Sequence, residues 1–255
     1  MRPVLFHLGP VAIQSWGVMA ILATASGGLV LRSELRRQTG DGTAAFALTL
    51  SAAIGGLVGG RLYYLVEHLG HEHASTSLSG TGFTWYGGFI VGAGAVLLVA
   101  RRRGVPIREL LGAMAPALAL AYAIARIGCQ LAGDGTYGTV SDLPWAMSYP
   151  HGVDPTTQRV HPTPIYETLA SLLIFAVLWR LRTRLDPLRI FGLYLLLSGS
   201  ERFLVEFVRR NEHVLLGLTQ PQIFGLVFVL LGSLLLMLPA RMLPGSPGRV
   251  APAPR

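Results

Sequence analysis

The sequence predicts an all-α membrane protein, a bundle of seven transmembrane helices with its N-terminus outside and its C-terminus in the cytoplasm. Three observations carry that expectation. Hydrophobic residues make up 51% of the chain, charged residues only 13%, and mean hydropathy is +0.51, a balance that leaves most apolar surface to face lipid. Seven apolar stretches, each near the roughly 20 residues that a bilayer core requires, follow one another across short polar links. The basic residues, all 21 of them Arg, gather in alternate links.

The predicted spans run near 11–31, 44–66, 84–100, 107–127, 164–179, 190–208 and 220–240. Links after the first, third and fifth spans hold Arg32, Arg36 and Arg37, then Arg101, Arg102, Arg103 and Arg108, then Arg180, Arg182, Arg184 and Arg189, and the tail adds Arg241, Arg249 and Arg255. The opposite side has Arg2, Arg159, Arg209 and Arg210. Fourteen against four puts the first side in the cytoplasm, and the net charge of +8 then reports topology rather than nucleic acid. Residues 1–243 are expected to form one membrane domain, and 244–255, with four prolines, a disordered cytoplasmic tail. A cleavable signal peptide is the rival reading of the start, with Ala23-Thr24-Ala25 as its small-residue site, but Arg2 alone makes a poor basic region and Gln14 interrupts the apolar run. Cys129, the single cysteine, excludes an intramolecular disulfide.

Candidate chemistry lies in the ionisable side chains of the spans, each costing about 2.5 to 3.5 kcal/mol on insertion scales. The sixth span contains Glu201, Arg202 and Glu206, and a spacing of four puts Arg202 and Glu206 within reach of each other. A buried ion pair explains those two alone. Arg126 at the end of the fourth span and Arg61 in the second exceed what one pair requires, and Arg presents a planar fork of donors that matches phosphate oxygens; snorkelling to an interface is their bland explanation. Gly55-Gly56 and Gly59-Gly60 allow close helix approach. Gly133, Gly135 and Gly138 around Asp134 permit tight turns in the long link 128–163, expected to be external and to cover the site. Pro162 and Pro164 limit the start of the fifth span, with Tyr166 and Glu167 in its first turn or so, where the helix dipole explains Glu167. His161 beside them has the chemistry of a base near neutrality. His68, His71 and His73 with Glu67 and Glu72 show no metal-ligand spacing, so no metal and no cofactor is expected.

Taken together, GPVAIQSWGVM, IGGLVGGRLYY, FTWYGGFIVG, ARIGCQLAGDGTYG, VHPTPIYE and RFLVEFVRRNE occur in the order found in the bacterial prolipoprotein diacylglyceryl transferase family, and the chain resembles a divergent member of it. The resemblance implies a seven-helix enzyme of the bacterial inner membrane. Its substrates would be phosphatidylglycerol and the lipobox cysteine of a preprolipoprotein signal peptide; the diacylglyceryl group passes to the thiol as a thioether and glycerol phosphate is released. A general base and fixed positive donors are the expected parts. The expected catalytic residues are Arg126, Arg202, Glu206, Tyr86 and His161, with Arg61, Trp16, Asp134, Gly138, Tyr166 and Glu167 binding substrate. The departures fall in the same motifs: Tyr86 replaces the family's histidine before Gly87-Gly88, Trp16 a tyrosine, Cys129 an asparagine and Ser198 a tyrosine. A membrane protein that binds or transports an anionic lipid or solute without catalysis is the other reading, but no internal repeat of the kind transporters show is visible.

Overall fold

The structure, a computed structural model, describes residues 1–67 and 85–238, without the side chains of Glu67, Trp85 and Tyr86. The cluster His68, His71 and His73, the Tyr86 side chain and the tail 244–255 lie outside the described residues.

Among the described residues seven α-helices dominate: α1 Ser15–Thr39, α2 Ala44–Glu67, α3 Trp85–Arg102, α4 Ile107–Ala132, α5 Thr163–Leu181, α6 Pro187–Val205 and α7 Gln220–Met237. Among the described residues, α1, α2, α4, α5 and α7 are long and apolar enough to cross a membrane. In α3, Arg101 and Arg102 lower the hydropathy, and α6 carries Arg189, Glu201 and Arg202. Ile21, Phe46, Leu173 and Leu230 are among many large apolar side chains left exposed on the helices, the surface that lipid covers.

The first span differs from expectation. Residues 11–14 are not helical: strands β1 Val4–Leu8 and β2 Val11–Gln14 form an antiparallel hairpin. Gly9 turns the chain at φ 59°, a conformation glycine adopts without the penalty of a side chain, and α1 starts only at Ser15. The fourth span is longer than expected, running to Ala132 before Gly133 closes it in the left-handed conformation. Arg126 therefore stands within a helix rather than at its end. The link that follows is not structureless. Strands β3 Met147–Tyr149 and β4 Thr156–Val160 pair antiparallel, and Tyr149, stacked on Tyr137 at 4.7 Å, donates its hydroxyl to Gln130 Oε1 at 2.9 Å. Burial pushes the Tyr149 phenol up to about 12, so it remains a donor at neutral pH. A third hairpin, β5 His213–Leu215 with β6 Leu218–Thr219, joins α6 to α7.

Helices approach where glycine permits it. A Cβ on Gly199 of α6 would lie 2.6 Å from the Gly225 carbonyl of α7, and one on Gly225 would lie 2.8 Å from the Gly199 carbonyl, so these two helices meet backbone to backbone beside the site. Gly55 of the expected close-packing run does the same against α3, 3.0 Å from Gly92 Cα. At the end opposite the site, buried Glu34 of α1 pairs with Arg37 at 2.6 Å and with Arg182 at 3.0 Å, and Arg108 pairs with Asp186, the residue capping α6. These contacts bring together the C-terminal ends of α1 and α5 and the N-terminal ends of α4 and α6. The other ends of α4, α5, α6 and α7 therefore share one face, where the charged residues of the sequence motifs come together.

Candidate active site

Glu167 is the centre of that face. Pro162 precedes α5 and Pro164 sits in its first turn, positions where a missing N–H costs nothing. Thr163 between them anchors the start by donating its hydroxyl to the Thr136 carbonyl at 2.6 Å. The next turn sends Glu167 into the bundle, fully buried. Its Oε1 accepts from Tyr122 Oη at 2.9 Å and Arg202 Nη1 at 2.9 Å. Arg126 Nη2 lies 3.1 Å and Arg209 Nη1 3.2 Å from the same oxygen. Arg126 also donates to Tyr122 Oη at 2.7 Å and lies over that ring at 4.8 Å.

Glu206 is the second carboxylate. The chain leaves the α6 helix at Val205 and Glu206 opens a 3-10 turn, Glu206–Val208, so the expected continuous helical face ends one residue earlier. The contact survives: Arg202 Nη2 is 3.5 Å and Arg209 Nε 3.8 Å from Glu206 Oε2. Glu206 Oε1 accepts from Asn211 Nδ2 and, at 3.1 Å, from Thr219 Oγ1. Thr219 is also the N-cap of α7, in a reciprocal capping box with Gln222, so one residue starts a helix and holds a carboxylate.

Arg126 and Arg202 open onto a cavity of about 610 Å³ whose walls include Phe89, Leu118, Ile174, Phe224 and Phe228, with Tyr122, Ser198 and Glu201 at its polar side. The volume lies within the range of ligand pockets, and the pattern is apolar walls with few convergent polar groups. Beside the cluster, Gly135, Tyr137, Arg209, Arg210 and Asn211 line a smaller polar cavity of about 320 Å³.

Of the expected site residues, Arg126, Arg202, Glu206 and Glu167 are brought together. Gly138 lies at the edge, where its N–H donates to the His161 carbonyl at 2.8 Å and a Cβ would sit 2.9 Å from His161 Cβ. His161 and Tyr166 form a different group: His161 Nδ1 is 3.2 Å from Tyr166 Oη, which accepts from Trp145 Nε1 at 2.7 Å. Neither lines the large cavity, nor do Trp16, Arg61 and Asp134. Asp134 accepts from Thr136 Oγ1 at 2.7 Å and braces the turn after α4; the Arg61 guanidinium lies over Tyr64 at 5.6 Å; Trp16 is half exposed near the start of α1. Sequence reasoning missed two members. Tyr122 precedes Arg126 by one helical turn, a spacing that was available as a signal. Arg209 reads in sequence as an external basic residue, and only the 3-10 turn after α6 directs it inward.

Fold and site together define a multi-pass helical membrane protein whose charged centre opens onto an apolar cavity. A sequence model of prolipoprotein diacylglyceryl transferase matches residues 3–238, and the chain belongs to that family. It is similar to the phosphatidylglycerol–prolipoprotein diacylglyceryl transferase of Clostridium tetani, 31% identical over 214 residues that cover 82% of this chain and 86% of the relative. It is similar also to those of Bordetella avium, 32% identical over 254 residues covering 94% and 95%, and Methylobacillus flagellatus, 32% identical over 256 residues covering 94% and 97%.

Proposed function

We propose that this protein transfers the diacylglyceryl group of phosphatidylglycerol to the lipobox cysteine thiol of preprolipoproteins at the bacterial inner membrane. The observation that carries the reading is the convergence of Arg126, Arg202 and Arg209 on Glu167, with Arg126 and Arg202 also lining an apolar cavity. Guanidinium groups present planar forks of N–H donors that match phosphate oxygens. The family to which the chain belongs agrees with this chemistry.

In the reaction the thiol sulfur attacks the glyceryl carbon bonded to the phosphate oxygen. The new S–C bond forms as the C–O bond breaks, its electron pair stays with the phosphate, and glycerol phosphate departs. Charge grows on the phosphate oxygens, where fixed guanidinium donors stabilise the transition state more than the ground state. Glu167 and Glu206 hold the donors in place, and the acyl chains lie in the apolar cavity. Arg126 and Arg202 take the catalytic role because both face that cavity, and Glu167 and Glu206 position them. His161 serves as the thiol base in the tautomer that donates from Nδ1 to Tyr166 and leaves Nε2 free.

Residues 1–243 form the transferase domain and 244–255 a cytoplasmic tail. All seven helices span the bilayer, α3 and α6 included, with the N-terminus outside. A protease-cleavable tag at the C-terminus of the protein in intact cells tests this orientation: cleavage from outside reverses it. The activity test combines purified protein, phosphatidylglycerol and a lipobox peptide, with mass spectrometry of the peptide. A diacylglyceryl adduct on the cysteine is expected; an unmodified peptide under conditions where the protein binds the lipid overturns the reading.

A further inference from the structure

Tyr194, Ser198, Glu201 and Arg202 of α6 all line the large cavity, at spacings that give the helix one polar edge. Most polar groups along it are engaged. Ser198 Oγ donates to the Tyr194 carbonyl at 2.6 Å, and Arg202 is held by Glu167 and Glu206. Glu201 is the exception: its Oε1 is buried without a hydrogen-bond partner. Buried polar oxygens are satisfied in the great majority of folded proteins, and a lone carboxyl oxygen at the wall of a ligand cavity is satisfied most simply by a donor on the ligand. Phosphate and acyl chains carry no such donor, which leaves the head group as the part of a bound lipid that can supply it.

Two kinds of head group carry donors, ammonium and hydroxyl. The lipid of the proposed reaction, phosphatidylglycerol, carries the second kind. Its glycerol head group can offer an O–H to Glu201 while its phosphate meets Arg126 and Arg202 on the same cavity. We propose that Glu201 is a specificity-determining residue that accepts a hydrogen bond from a hydroxyl of the glycerol head group while Arg126 and Arg202 hold the adjacent phosphate. The proposal deepens the transferase reading and rests on it for the identity of the lipid.

Phosphatidylpropanol has the same charge and head-group length as phosphatidylglycerol and lacks both hydroxyls, which isolates the contact. Protein in nanodiscs containing equal amounts of phosphatidylglycerol, phosphatidylpropanol and phosphatidylethanolamine with identical acyl chains is released, and retained lipid is measured by native mass spectrometry. The unsubstituted protein should retain phosphatidylglycerol over phosphatidylpropanol by about tenfold, the effect of one hydrogen bond to a charged or strongly polar group. Glu201→Gln keeps an acceptor oxygen and should keep part of the preference; Glu201→Leu should retain the two lipids equally. Replacing an unpaired buried polar group by an apolar one should not lower the melting temperature, so Glu201→Leu remains a folded comparison. Equal retention by the unsubstituted protein, an undiminished preference in Glu201→Leu, or preferential retention of phosphatidylethanolamine would overturn the assignment. The peptide-adduct assay run in parallel separates the two readings. Lipid preference without adduct sinks the transferase reading alone, and adduct formation with an undiminished preference in Glu201→Leu sinks the role of Glu201 alone.

Discussion

Glu167→Gln is the substitution that most directly probes the charged centre. It keeps the shape and one acceptor oxygen but removes the charge on which three guanidinium groups converge at 2.9 to 3.2 Å, and it turns an amide N–H₂ towards donors. Arg202 and Arg209 still face Glu206 at 3.5 and 3.8 Å, whereas Arg126 has no other carboxylate in ion-pair range among the described residues. One uncompensated buried cation costs about 3 to 5 kcal/mol. Because Glu206 compensates the other two, the lower end applies, about 3 kcal/mol, and at about 2–4 °C per kcal/mol for a chain of this size the melting temperature should fall by about 6–12 °C. The adduct rate should fall by about 100-fold or more, the loss expected when a fixed anion-stabilising donor is misdirected. Thermal melting in detergent and the lipobox-peptide assay measure the two effects. Unchanged melting would refute the view that Glu167 compensates buried charge, and unchanged adduct formation would refute its role in orienting the arginines.

Arg126→Lys and Arg202→Lys keep the charge and lose the planar fork, so each should lower the adduct rate by about 100-fold; full activity in both would refute geometric phosphate recognition. Gly138→Ala puts a methyl group 2.2 Å from the Val208 carbonyl oxygen as well as 2.9 Å from His161 Cβ, so backbone must move, and it should destabilise the protein by about 3 kcal/mol or more, read as a lower melting temperature; wild-type melting would show that the backbone after α6 yields easily. His161→Gln should lower the adduct rate by about 100-fold or more, the contribution of a positioned base, and an unchanged rate would remove His161 as the base.

Much of the fold was legible because hydropathy is a local property. Twenty consecutive apolar residues report a span wherever the chain goes afterwards, and Pro162, Pro164 and Gly133 mark helix ends through their own backbone preferences. The boundaries that failed lay where a local pattern serves two structures: the apolar Val11, Ala12 and Ile13 of β2 suit a strand in a surface hairpin as well as the start of a span. The site was legible only in part. Arg202 and Glu206 sit four residues apart, and their pairing followed from helical geometry.

Glu167 posed a different problem. In sequence it is one acidic residue near a helix start, and a favourable dipole accounts for it. Its partners Tyr122, Arg126, Arg202 and Arg209 lie on other elements, 35 to 45 residues away, and no local rule couples them. Composition and charge by themselves determined that the chain enters a membrane and where its helices run. Only the antiparallel packing of α4, α5 and α6, with the 3-10 turn that directs Arg209 inward, decided that one carboxylate would gather three arginines, because a buried charge finds its counter-charge through tertiary geometry and not through position in the chain.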